Sequence, residues 1–296
     1  MADALIRTLA AVAFAVLAPA AYADVAVVDD TGRSIRLASP ARRIVALAPH
    51  ATELVFAAGA GSRIVGVVRG SNHPEAARSL PVIGDVHAID LERIIALRPD
   101  LIVSWPYTTP AQVDRLRARG VAVFVTDPRS IDGIAINIER LGVLAGTQGD
   151  AAGSAAQFRR RVAAAVVTEI ERRVRVFYEI WNAPLFTIGA DHLITQAIAA
   201  CGGENVFASI AIPAPQVSVE AVIAARPEAI IAGTDGAVRP PWLDDWRTWT
   251  NIPAVREGLL HVVDADRLHR PGPRFAEGVA ELCAAIAKSR KRRADR

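Results

Sequence analysis

The sequence predicts an α/β protein of two similar lobes, each a short, mainly parallel sheet flanked by helices. One long rigid helix joins the lobes, and a ligand cleft lies between them. Three observations carry this. The segment LERIIALRPDLIV (Leu91 to Val103) returns as VEAVIAARPEAII (Val219 to Ile231), with Glu92 and Glu220 matched at an offset of 220 − 92 = 128 residues. Each copy reads as a helix with a good N-cap residue, Asp90 or Ser218, stopped by Pro99 or Pro227 before an apolar strand. A second pair, RIVALAPHATELVFAAGAG from Arg43 and PLFTIGADHLITQAIAACGG from Pro184, runs from apolar strand through polar turn to a helix ending in Gly59 or Gly202. Its offset of 202 − 59 = 143 means that loop lengths changed between the copies, and the period is far too long for a solenoid. Third, Ile131 to Val174 contains no proline, and Ala155 to Arg173 alternates apolar and charged residues at helical spacing. Its one weak point is Gly146 to Gly153.

Along the chain, Arg7, an apolar run from Leu9 to Ala21 and the small-x-small pattern Ala21-Tyr22-Ala23 read as a secretory signal peptide over residues 1–23. The alternative is a buried N-terminal helix. At roughly 13 residues the run is too short to span a bilayer, and no cysteine near the cleavage pattern offers a lipid anchor. The expectation is an exported, soluble protein beginning at Asp24, with 296 − 23 = 273 residues for two cores. Val25 to Leu37 reads as a hairpin around the turn Asp29-Asp30-Thr31-Gly32. Strands at Ile44 to Leu47, Ile64 to Val68, Leu101 to Ser104 and Val121 to Val125 alternate with helices at Thr52 to Ala58, at the first repeat and at Ala111 to Arg119. That alternation implies a parallel sheet covered by helices. The division expected is an N-terminal lobe over 24–145, a connecting helix over 146–174, a C-terminal lobe over 175–288 and a basic tail over 289–296.

Composition excludes several classes. The net charge of +3 is concentrated in the tail KSRKRRADR, which reads as a solvated, frayed terminus. No nucleic-acid-binding pattern accompanies it. Cys201 and Cys283 are the only cysteines; in an exported chain the pair reads as a disulfide, worth about 4.5 kcal/mol by loop entropy, with two buried thiols as the alternative. No GxSxG, phosphate-binding loop, HExxH or CxxC motif is present, and the six histidines show no ligand spacing. Nothing argues for catalysis.

Ligands of open α/β sheets bind beyond the carboxyl ends of the strands. Those loops hold His50, Arg69 to His73 with Gly70, Trp105 to Tyr107, Trp181 to Phe186, Asp191, Ala214 and Asp266 to Arg270. Aromatics with a few polar groups suit a bulky ligand. Trp105 is a cleft wall or a lid on the local core; Asp266 and Arg270 are a ligand contact or a local ion pair. Trp242, Trp246 and Trp249 share one helix face and read as packing. Glu92 and Glu220 complement helix dipoles, and their equivalence suggests docking onto a symmetric basic partner.

The runs RIVALAPHATELVFAAGAG, LERIIALRPDLIVSW, CGGENVF, PQVSVEAV and DADRLHRPGPR together resemble the helical-backbone substrate-binding proteins of ABC importers, the metal-chelate receptors, and among them the cobalamin-binding members. The resemblance spans about Ile44 to Cys283. It implies a periplasmic monomer, free of catalysis and of any catalytic cofactor, that captures a corrinoid, cobalamin, as transported ligand and passes it to a dimeric inner-membrane permease. It implies ligand contacts at Trp105, Phe186, Asp266 and Arg270, a disulfide between Cys201 and Cys283, and permease docking through Glu92 and Glu220. Three aromatic contacts of the family stand here as Gly70, Val86 and Ala214, with Trp181, Tyr178, Tyr107 and His50 nearby in compensation. Heme or a ferric siderophore is the alternative ligand, with Arg69 and Arg270 facing its carboxylates. A bare transition metal would draw on His50, Asp191 or His192, and Asp266. An extracytoplasmic enzyme or a sensor partner lies outside the class.

Overall fold

A computed structural model describes residues 24–108 and 110–294. The expected signal peptide, residues 1–23, lies outside the described residues. The chain opens with an antiparallel hairpin of β1 (Val25–Val28) and β2 (Ser34–Leu37). Its turn is held by Asp29, whose Oδ1 accepts from the backbone N–H groups of Thr31 and Arg33 at 2.9 Å each. This is the Asx geometry expected of aspartate in a turn.

The N-terminal lobe then alternates as its sequence pattern implies: β3 (Ile44–Ala46), α1 (Pro49–Ala57), β4 (Ile64–Val67), α2 (Leu91–Ala96), β5 (Leu101–Ser104), α3 (Pro110–Ala118) and β6 (Ala122–Val125). Helix α4 (Ile131–Ala145) follows, capped by Ser130, which accepts from the Gly133 N–H at 3.0 Å. The C-terminal lobe runs β7 (Val174–Glu179), a small hairpin of β8 (Trp181–Asn182) and β9 (Leu185–Phe186), α6 (Leu193–Ala200), β10 (Gly203–Asn205), α7 (Val219–Ala225), β11 (Ala229–Thr234), α8 (Pro253–Arg256), β12 (Leu260–Asp264), α9 (Ala265–Leu268) and α10 (Phe275–Ala294). The element between α4 and β7 is α5 (Gln148–Ala165).

The duplication is visible in the topology. The sheets have the orders β4-β3-β5-β6 and β10-β7-β11-β12, all neighbours parallel. The two orders correspond strand for strand, each with its second strand at one edge and its first beside it. The repeated helices α2 and α7 are capped by the side chains of Asp90 and Ser218, accepting from Arg93 N–H at 3.0 Å and Ala221 N–H at 3.2 Å. Both leave through a left-handed arginine, Arg98 (φ 45°) and Arg226 (φ 46°), directly before the proline. The second echo is weaker than its sequence suggests. Leu185–Phe186 belongs to the small antiparallel hairpin, and the counterpart of β3 in the sheet is β7, eleven residues earlier by its first residue (185 − 174 = 11).

The helical stretch expected from Ile131 to Val174 is two helices. Gly146 (φ 68°, ψ 32°) takes the left-handed conformation that ends a helix, and Thr147 completes a two-residue turn. Helix α5 folds back along α4, with Arg159 paired to Asp132 at 2.6 Å and to Glu139 at 2.5 Å. It buries Ala151, Ala155 and Phe158, and Arg161 reaches Glu277 of α10 at 3.4 Å. The connector is therefore α5 alone, some 27 Å at 1.5 Å per residue. It stops at Ala165 rather than at 174 because Val166-Val167-Thr168 is a β-branched run, and Val167 N–H donates instead to the Ala200 carbonyl at 3.1 Å.

One core joins the lobes. A single buried cluster contains Ile44, Phe124 and Ile138 of the first lobe together with Val176, Tyr178 and Ile286 of the second. Two satellite cores cover the outer faces, one around Phe177, Leu243 and Trp246, the other around Leu47, Ile102 and Leu116. Cys201, which ends α6, is bonded to Cys283 of α10. The segment expected as a frayed basic tail is the last turns of α10 up to Ala294. It is held because Ser289 is buried against His261 (2.9 Å) and the Arg290 Nη2 donates to the Cys201 carbonyl at 3.1 Å. Among the described residues no helix is long and apolar enough to cross a membrane.

Candidate functional site

Parallel order fixes where a site can form. In both sheets the order reverses beside the first strand, and loops leave the carboxyl ends of neighbouring strands in opposite directions, opening a crevice. The two crevices face one cleft of about 460 Å³, within the range of small-molecule sites. Trp105, Tyr107 and Asp127–Arg129 line it from the first lobe; Asp191, His192, Ile212–Ala214, Leu268, His269 and Pro271 line it from the second.

Trp105 follows β5 and meets His50 edge-on at 5.5 Å and Tyr107 edge-on at 4.7 Å between ring centroids. It packs partly against the main core and also walls a second cavity of about 380 Å³ beside Arg33 and Arg117. Cleft wall and core lid are thus both its roles. His50 was expected in a loop; it lies in the first turn of α1, since Pro49 takes a position where a missing N–H costs nothing. Burial, and secondarily Arg270, lower its pKa from 6.5 to about 3, so the ring is neutral. Its Nε2 has no hydrogen-bond partner among the described residues.

The second lobe contributes a buried hydrogen bond between the Tyr178 hydroxyl and His269 Nε2 at 3.0 Å. Burial lowers the pKa of His269 to about 4 and, with His269 as a second cause, that of His192 to about 4. Burial pushes the Tyr178 hydroxyl upward. The wall of the cleft is therefore uncharged at His192 and His269 at neutral pH, with the neutral Tyr178 hydroxyl behind His269. Asp127 and Arg129, which sequence pattern did not single out, pair at 2.6 Å.

At one edge of the cleft the lobes are tied by four charges. Glu53 of α1 is buried, with 2% of its side chain exposed. It accepts from Arg274 Nε at 3.0 Å and Nη2 at 2.7 Å, and lies 3.5 Å from Arg270 Nη1. Arg270 pairs with Asp266 at 2.7 Å and donates from Nη1 to Asn72 Oδ1 at 2.8 Å. Burial pulls the Arg274 pKa down, but Glu53 outweighs it and the net shift is upward. Two carboxylates and two guanidiniums leave this set with no net charge. Sequence reasoning found Asp266, Arg270 and the Arg69 to His73 loop that holds Asn72, without singling that side chain out, but not Glu53 or Arg274, which meet across 221 residues. The one signal available was the polar side chains of PHATE inside an otherwise apolar run.

The remaining expected residues lie around this centre. Gly70 is exposed in the loop after β4 with φ 82°, and a Cβ there would meet Pro49 Cγ at 3.7 Å. An aromatic there would be strained by the left-handed backbone, whatever the room. Trp181 is 58% exposed on the β8–β9 hairpin beyond β7, its Nε1 donating to the Ala183 carbonyl at 2.9 Å. Phe186 is its cross-strand partner and bridges to Gln216. Neither lines the 460 Å³ cleft. Glu92 and Glu220 are exposed in the first turns of α2 and α7. Because each helix runs back to the start of the next parallel strand, both first turns lie at the carboxyl ends of the sheets, the level of the cleft. Hydrogen bonds from its own N–H and from Ser218 lower the pKa of Glu220. Of the tryptophans expected to pack together, Trp246 is buried and donates to Glu179 Oε2 at 2.8 Å, while Trp249 stays 39% exposed. Among the described residues no three His, Cys, Asp or Glu side chains gather to hold a metal ion.

Comparison with known proteins adds to this geometry. The family model described as periplasmic binding protein matches residues 44–266. The chain is 34% identical over 259 residues to a vitamin B12-binding protein of Vibrio parahaemolyticus, covering 86% of this chain and 92% of that protein. Among solved structures it is similar to the periplasmic vitamin B12 binding protein of Vibrio cholerae, with TM-score 0.75, 31% identity and coverage of 85% of this chain and 99% of that one. It is also similar to a periplasmic heme-binding protein from Roseiflexus sp. RS-1, with TM-score 0.74, 28% identity and coverage of 84% and 98%.

Proposed function

The chain belongs to the periplasmic binding protein family, and from that premise we propose that it captures cobalamin in the cleft between its lobes and delivers it to an inner-membrane ABC permease. The observation that carries the reading is the 34% identity, across most of both chains, to a protein described as binding vitamin B12. The cleft supports it. Trp105 and Tyr107 offer apolar faces to a corrin ring. The Asp266–Arg270 pair offers one acceptor and one donor to the carboxamides at its rim. Trp181 and Phe186 extend the second lobe's edge toward a ligand wider than the cleft. His50 stays behind Trp105 as a neutral ring, and Gly70 leaves the first lobe's rim open. Residues 1–23 direct export to the periplasm, where the protein works as a monomer of two jaws, 24–145 and 175–288, on the α5 spine. Glu92 and Glu220, one on each jaw, dock onto basic residues of the permease dimer.

Heme is the second reading, favoured by the likeness to the Roseiflexus protein. The charge-neutral set at the cleft edge argues against it, since a propionate would meet Asp266 and Glu53 along with the arginines. Calorimetric titration of residues 24–296 with cyanocobalamin, heme and a ferric siderophore tests the choice. Submicromolar binding of cyanocobalamin alone is expected; binding of heme or siderophore without cyanocobalamin would sink the corrinoid reading and keep the fold.

A further inference from the structure

Asn72 lies in the loop after β4, and its side chain crosses to the other lobe. Its Oδ1 accepts from Arg270 Nη1 at 2.8 Å, and its Nδ2 is 3.5 Å from Asp266 Oδ2, at the limit of a hydrogen bond. Arg270 and Asp266 are themselves paired at 2.7 Å. A primary carboxamide therefore sits on the fork with its oxygen toward the guanidinium and its nitrogen toward the carboxylate. The corrin rim carries side chains that end in the same group. Resting on the cobalamin reading above, we infer that Asn72 is an internal stand-in for the ligand, holding the carboxamide subsite of the cleft until a corrin side chain displaces it.

The surroundings make this an exchange rather than a collapse. Arg270 and Asp266 do not depend on Asn72 for their placement, because Glu53 and Arg274 hold them from behind: Arg274 Nη2 lies 2.7 Å from Glu53 and 3.9 Å from Asp266. Asn72 itself is exposed, whereas its neighbour Ser71 is buried and anchored to Thr52 of α1 at 3.1 Å. The loop root is fixed and the carboxamide at its tip can leave. Displacement trades one neutral amide for another on the same charged partners, so the fork keeps its hydrogen bonds throughout. A carboxylate in place of that amide gains Arg270 and meets Asp266 as a like charge, which makes the fork a filter for amides.

Removing the competitor should tighten binding. In titrations of wild type, Asn72→Ala and Asn72→Ser with cyanocobalamin, the dissociation constant of both variants is expected to fall, by about tenfold if one charge-assisted hydrogen bond is at stake. Thermal unfolding of each variant checks that the fold is intact. Unchanged or weaker cyanocobalamin binding by Asn72→Ala and Asn72→Ser would overturn the inference and make Asn72 a bystander or a ligand contact. If wild type itself binds no cyanocobalamin, the corrinoid reading fails and this inference falls with it.

Discussion

At the scale of single residues, the side chains that matter at this cleft are those removed from solvent or tied across it. Arg270 donates to Asn72 and pairs with Asp266; its loss removes charge-assisted hydrogen bonds, so Arg270→Ala should weaken cyanocobalamin binding by about 10- to 100-fold by titration. The buried histidines set the acid limit of the fold. His50 is lowered to about 3, and His192, His261 and His269 to about 4, in each case chiefly by burial. A folded pKa below the unfolded 6.5 means that the unfolded chain binds more protons, so this stability is complete above pH 6.5 and is lost as pH falls toward 4. Glu179, raised to about 7 by burial, acts in the opposite sense between about 4.5 and 7. With four histidines against one glutamate, the melting temperature should fall between pH 7 and pH 5, and a flat or rising profile in differential scanning fluorimetry would contradict the burial seen here. The positions of Trp105, Asp266 and Arg270 beyond apolar strands were legible in the sequence, and the structure puts them there. Glu53 was not, since a helix pattern does not say which of its polar residues faces another lobe; Asn72 lay within the named loop Arg69 to His73, where nothing marked that one side chain.

At the scale of elements, periodicity and caps were the readable part. Asp90 and Ser218 cap α2 and α7 as the repeat implied, and Asp90→Ala or Ser218→Ala should each cost about 1 kcal/mol in denaturant unfolding. The parallel strands were legible as apolar runs between helices. The connector was legible as helix but not in its bounds. Its start depends on Gly146 adopting a left-handed turn, and its end on Val167 finding the Ala200 carbonyl, a contact between segments that pattern does not link. The β8–β9 hairpin was read as part of an apolar strand because Leu185 and Phe186 carry no mark of sheet partner. Disulfide and tail belong together: Cys201–Cys283 and Arg290 both fasten α10 to the end of α6. Cys201→Ala with Cys283→Ala should lower stability by about 2–4 kcal/mol.

At the scale of the whole molecule, α5 and a core continuous through both lobes leave little room for hinge motion. The Glu53–Arg274 tie works in the same direction, so the cleft receives its ligand largely preformed. Glu92 and Glu220 stand on equivalent helices of the two lobes, as the 128-residue offset implied. Reversing both, Glu92→Arg with Glu220→Arg, should abolish delivery to a reconstituted permease and leave cyanocobalamin affinity unchanged; a matching loss of affinity would place them in the binding site instead. The central claim is that a corrinoid is held between the lobes against Trp105. Its most direct test is cyanocobalamin titration of wild type beside Trp105→Ala. Submicromolar affinity falling by about 30-fold in the variant, as for a buried aromatic anchor, is the predicted result; equal affinity in the two proteins would put the ligand somewhere other than this cleft.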